Sequence, residues 1–389
     1  MAIERNSAAR GVKQGEDAEQ FRDGVIRPGI VPDRVSAPVA AYFRIPPIWI
    51  DQSPPFSPTQ ARPLAWGHAV VLRRVMRCGI EVRVQRDGLF AFDFTDFPPA
   101  SYTLVPGFVH PESPHLIPEE HSAAEEQAEA IAVYRAQIMN AHQACFTTAE
   151  ALVRGRGAAM GYPVNAWNTF KSLDLELVPE YRDDTEDPRA VARNVYNNSY
   201  QVIGDRDLAR RLVELDVIEA SLDLLDQILA APPGTVPMVE GAYMAASRAA
   251  EKRFGESIVL GWTVCEQLVS IAWRRLLDSE KGEGAENRTP RKRIEKPIGR
   301  DHSASVMTEA LELNGVISAE VHGWLETGRK ARNAWAHAMK VPAQAEALAC
   351  LLAARSLFRE LLAIDLRLQS GGRGSVPQWP IWMLPDRRG

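Results

Sequence analysis

The stretch "ETGRKARNAWAHAM", residues 326–339, decides how the last third of this chain is read. Ala331, Trp335 and Met339 recur every four residues, the spacing of one helical face, which predicts a helix that buries them. The other positions hold Arg329, Lys330, Arg332, Asn333 and His337. Asn333 and His337, four apart, stack on one face, while Arg332 lies one step around and is long enough to converge on the same point. A guanidinium beside an imidazole is a pairing suited to binding an anion and moving a proton next to it.

Working outward, Pro342 pushes the residue before it away from helical geometry and predicts a break near 340. The surrounding periodicity predicts an antiparallel helical bundle over residues 238–370, with helices near 240–279, 304–312, 317–340 and 343–368. In the first of these, "IVLGWTVCEQLVSIAWRRLL" at 258–277 sets Glu266 on one face with Val259, Trp262, Val269 and Trp273. A carboxylate in an apolar stripe needs a partner, or a route to solvent at the edge of the stripe, because burying an unpaired charge is costly. Arg332 on a neighbouring helix would suit it. The long loop at 280–303 contains "RTPRKRIEKPIGR", six basic residues and one acid, among them Arg291, Lys292 and Arg293. Such a run reads either as phosphate attraction or as a solvated loop.

Upstream, "APPG" at 231–234 closes a helix expected over 206–231 and marks a domain boundary. Residues 119–235 read as a helical domain, in which the proline-free run 120–153 predicts one long helix. Residues 36–118 read as a small β-rich domain of short apolar or alternating runs, with a hairpin at Asp87-Gly88 because glycine tolerates positive φ there. Residues 1–35 read as a polar arm, and 371–389 as a Gly/Pro-broken tail carrying Trp379 and Trp382. The fold class is α+β, predominantly α.

Composition narrows the partners. The 389 residues carry a formal charge of -5 and are 46% hydrophobic, so cores are affordable and any basic site must be local. The four cysteines lack the paired spacing of a zinc or thioredoxin-like site, no metal or cofactor is expected, and neither a signal peptide nor an apolar run of membrane-spanning length is evident. The expectation is a cytoplasmic protein with no membrane partner.

An arginine shortly before a histidine is a weak pattern by itself. It arises by chance about twice in such a chain, and occurs three times: Arg62 to His68, Arg135 to His142, and Arg332 to His337. The first spans Pro63 and Gly67 and shares no regular face. The second aligns on one helical face with nearly two turns between its members, and reads as a solvated pair. The third has Asn333, Arg329, Lys330 and Glu266 around it.

On those residues, the C-terminal third resembles a HEPN domain, the all-helical family named for higher eukaryotes and prokaryotes nucleotide-binding. Its ribonuclease members carry an R-x4-6-H motif often opening Arg-Asn, here Arg332-Asn333-Ala-Trp-Ala-His337, and "GWTVCEQL" resembles the earlier helix whose polar residue faces the active site, matched by Glu266. The likeness covers about 130 residues. It implies RNA cleavage without a metal or cofactor, giving 2′,3′-cyclic phosphate and 5′-OH ends, with His337 as acid–base group, Arg332 on the phosphoryl oxygens, Asn333 orienting, and Glu266 holding Arg332. It implies a homodimer through the C-terminal bundle, a toxin or antiviral defence role, and an antitoxin or regulatory protein as partner. A catalytically silent module binding RNA, nucleotide or protein is the alternative. "ARNVYNNSY" at 192–200 also aligns with "ARNAWAHAM", a decayed second copy or, better explained, chance similarity of two polar helices.

Overall fold

The computed structural model describes residues 39–44, 48–52, 69–97, 118–154, 160–161, 163–165, 170–172, 211–279 and 303–368. The arm at 1–35, the basic loop with Arg291, Lys292 and Arg293, the "ARNVYNNSY" segment and the tail at 371–389 lie outside them. The described chain is mostly helical with a small sheet, an α+β fold dominated by α.

Strands β1 (Val39–Phe43), β3 (Val70–Val75), β4 (Glu81–Gln85), β5 (Leu89–Asp93) and β6 (Phe170–Ser172) form an antiparallel sheet in the order β3-β4-β5-β1-β6. The β4–β5 hairpin turns at Asp87-Gly88 as its sequence predicts. Gly88 takes φ 87, its N–H reaches the carbonyl of Gln85 at 3.0 Å, and a side chain there would meet Ile48. Alternation along β1 and β5 sends Tyr42, Phe90 and Phe92 to one face, where they stack.

That face is covered by α1 (Pro118–Arg154), the long helix expected at 120–153. Its buried residues include Ile138, Met139, Ala141, Cys145 and Phe146. Next come β7 (Arg211–Val213) and α2 (Leu215–Leu229), where one continuous helix over 206–231 was expected. The correction has a long-range cause: β7 pairs in parallel with β2 (Ile48–Ile50), more than 150 residues earlier, and local periodicity carries no trace of that partner.

The remaining helices are α3 (Thr235–Ala250), α4 (Phe254–Ser279), α5 (Ala304–Leu313), α6 (Ala319–Ala338) and α7 (Gln344–Leu362). The single helix expected at 240–279 is two. Lys252 adopts φ 63, and the N–H groups of Lys252 and Arg253 turn back to the carbonyls of Ala249 and Arg248, closing α3 before α4 starts. α3 packs on α1 as well as on α4, and one continuous core runs from the sheet through the last helix. Past α7 the chain leaves helical geometry, so the last helix stops short of its expected end at 368. Ile364, Leu366 and Leu368 alternate into the core, Arg367 N–H donates to Thr148 Oγ1 on α1 at 2.9 Å, and Gln227 of α2 donates to the carbonyl of Ala363. This strap ties the C-terminal helices to the first ones.

Candidate functional site

Helix α6 begins at Ser318, whose hydroxyl accepts from Val321 N–H, and ends at Met339 with φ 50, three residues before Pro342. Its packed stripe is Val321, Leu325, Gly328 and Ala331. Trp335 continues the stripe, its ring lying where a side chain on Gly255 of α4 would have to sit. Met339, expected to be buried, is instead 73% exposed, because the left-handed turn at the helix end takes it off the stripe.

Angular position sorts the candidate residues. At about 100° per residue, Asn333 and His337 lie within about 40° of each other and on the side away from Trp335. His337 is exposed. Arg332 starts about 140° from His337, and its Nη1 donates to Asn333 Oδ1 at 3.1 Å, which ties the guanidinium to Asn333. Among the described residues neither His337 nor the Glu266 carboxylate makes a side-chain hydrogen bond or ion pair, so the imidazole is uncommitted.

Arg329 and Lys330 are differently placed. Arg329 forms a forked pair with Glu326, both hydrogen bonds 2.8 Å, and Lys330 Nζ stands 3.7 Å from the same carboxylate. Arg329 holds the Glu326 carboxyl below its usual range, and Glu326 raises the guanidinium in turn. Arg329 is thus already matched to a carboxylate, and Lys330 is the looser cation.

Glu266 does not reach Arg332. Trp335 against Gly255 and Trp262 against Gly328 set α4 and α6 antiparallel in one register. That register puts Glu266 level with Trp324, about 12 Å along the axis from Arg332. The ionic group level with the C-terminal end of α6 is the α3–α4 elbow, where Arg248 pairs with Glu251 at 2.8 Å and with Glu256 at 3.5 Å, and Arg253 pairs with Glu256. The charge-dense run "EKRFGES" around a glycine was the available signal for it.

The second arginine–histidine pair proves to be something else. His142 is fully buried beneath the sheet, not solvated. Ser221 donates to the carbonyl of Ile218 at 2.7 Å, so its oxygen accepts from His142 Nε2 at 3.2 Å, leaving Nδ1 to accept from the Tyr42 hydroxyl at 2.6 Å. With the tyrosine donating and the serine accepting, the imidazole has no nitrogen free to take a proton from the serine. Burial, with a smaller contribution from the Arg44 charge, pushes the ring down to about 3 and keeps it neutral, and all three side chains are sealed from solvent. The arrangement holds strand to helix. Arg44, stacked 4.0 Å over Phe146 and donating to Thr147 at 3.3 Å, extends the same buried polar layer.

A small apolar hollow lined by Ala242, Leu351, Phe358, Leu366 and Leu368 contains none of the candidate residues. Among the described residues no group of three or more His, Cys, Asp or Glu is arranged to hold a metal ion, and no helix is long and apolar enough to cross a membrane. No family model, no curated protein and no solved structure matches the chain.

Proposed function

We propose that this protein is a metal-independent endoribonuclease of the HEPN type, acting through Arg332, Asn333 and His337. The observation that carries the reading is the Arg332–Asn333 hydrogen bond, which ties a guanidinium to the residue about one turn before an exposed imidazole. The packing of α6 antiparallel to α4, with α7 against both, supports it. His337 takes the proton of a ribose 2′-OH as that oxygen attacks the adjacent phosphorus, and Arg332 meets the charge building on the phosphoryl oxygens. The 5′ oxygen leaves with a proton, and the product keeps a 2′,3′-cyclic phosphate.

One imidazole cannot be base and acid in the same step, so the reading includes a homodimer through the C-terminal bundle that presents two copies of His337. Exposed Met339 and Val341, next to His337, supply apolar ground for that contact. The biological setting is a cytoplasmic toxin or defence effector restrained by an antitoxin or regulatory protein. Glu266 is left out of the mechanism. A second reading, a silent module that binds RNA, nucleotide or protein, is favoured by the distance of Glu266 from Arg332 and the openness around His337. Incubating the protein with mixed RNA in EDTA separates them: cleavage lost in His337→Ala supports the nuclease, whereas retention of RNA without cleavage supports the module.

A further inference from the structure

We propose that Cys265 and Cys350 form a redox latch, closing to an intramolecular disulfide when the protein meets a peroxide. The two thiols are fully buried at the crossing of α4 and α7 with their sulfurs 3.9 Å apart, and the Cys265 thiol also donates toward the backbone carbonyl of Cys350 at 3.5 Å. The close approach has a cause in the sequence. A side-chain carbon on Gly261 would stand 3.2 Å from the Cys350 sulfur, and one on Gly328 of α6 would stand 3.3 Å from it. Two glycines therefore let three helices meet at one sulfur atom. A disulfide is about 2.05 Å long, so the sulfurs have less than 2 Å to travel, within reach of a rotamer adjustment.

In the reaction, hydrogen peroxide takes two electrons and two protons from the thiol pair, giving one S–S bond and two molecules of water. Its pace follows from the site. The bond shared with Cys350 and burial both push the Cys265 thiol well above its ordinary value, so thiolate is scarce and closure is slow. The other two cysteines are placed differently: Cys145 is buried in α1, and Cys78 is half-buried in the β3–β4 turn. The latch joins residues 85 apart and lies under α6, the helix that carries Arg332 and His337. It does not depend on the ribonuclease reading.

The test uses the full chain carrying Cys78→Ser, which removes the most accessible thiol. After prolonged peroxide treatment, thiols are alkylated under denaturing conditions and the peptides are mapped without reductant. The expected result is a Cys265–Cys350 cross-linked peptide lighter by two hydrogens, a melting temperature raised by about 5–10 °C, and reversal of both by dithiothreitol. Cys350→Ala should lose the cross-link and the shift. Both cysteines remaining fully alkylatable, Cys265 recovered as a sulfinic acid, or a cross-link to Cys145 would overturn the proposal. Because the oxidised and reduced forms of one protein are compared, the result stands even if the alanine variant folds poorly.

Discussion

Of the three histidines that follow an arginine at similar spacing, the fold treats His142 and His337 in opposite ways. His142 spends both ring nitrogens on Tyr42 and Ser221 beneath the sheet, while His337 stands exposed at the end of α6 with no side-chain partner among the described residues. The difference teaches that spacing names a candidate and burial decides its trade. A ring sealed by Phe90 and Phe92 packs strands; a ring exposed at a helix end is open to solvent.

The contrast can be broken most forcefully at Arg332. Arg332→Ala should lower RNA cleavage by about 100-fold or more with little change in melting temperature, since one mainly transition-state contact is lost; a large fall in stability would move Arg332 into the structural class. Next, His142→Ala should destabilise by about 3 kcal/mol or more in urea titration, combining a cavity with two stranded hydroxyls. His337→Ala should stay within about 0.5 kcal/mol of the parent.

A third comparison uses pH. Folded His142 stays neutral down to about 3, whereas the unfolded chain protonates it near 6.5. Between those values the unfolded state binds more protons, so stability falls as pH falls. From pH 7 to 5 the loss should be about 2 kcal/mol, and His142→Gln should flatten that slope. A smaller effect is expected at Glu326→Gln, which releases Arg329 and should cost about 0.5 kcal/mol by thermal denaturation. Smallest of all, Glu266→Gln should leave cleavage unchanged, as its place about 12 Å from Arg332 requires; a large drop would restore it to the site.

Local features were legible in the sequence and distant partners were not. The long helix at 118–154, the Asp87-Gly88 hairpin and the break before Pro342 follow from propensity and turn chemistry within a few residues of each feature. Strand β7 was hidden because its partner β2 lies far up the chain, and the α3–α4 elbow was hidden because Lys252, with no glycine's freedom, takes the left-handed turn. At the site, the shared face of Asn333 and His337 was readable from angular spacing, whereas the hydrogen bond from Arg332 to Asn333 was not. Glu266 was misassigned because its face was known but its level was not: that depends on the register set by Gly255 under Trp335 and Gly328 beside Trp262. Met339 was misplaced for a related reason, since a helical period says nothing about where the helix stops.

The most direct measurement is end analysis of RNA incubated in EDTA with the parent protein and with His337→Ala. The account predicts 2′,3′-cyclic phosphate and 5′-OH ends from the parent and a loss of cleavage of about 100-fold or more in the variant. Intact RNA with the parent, or equal cleavage by both proteins, would contradict it.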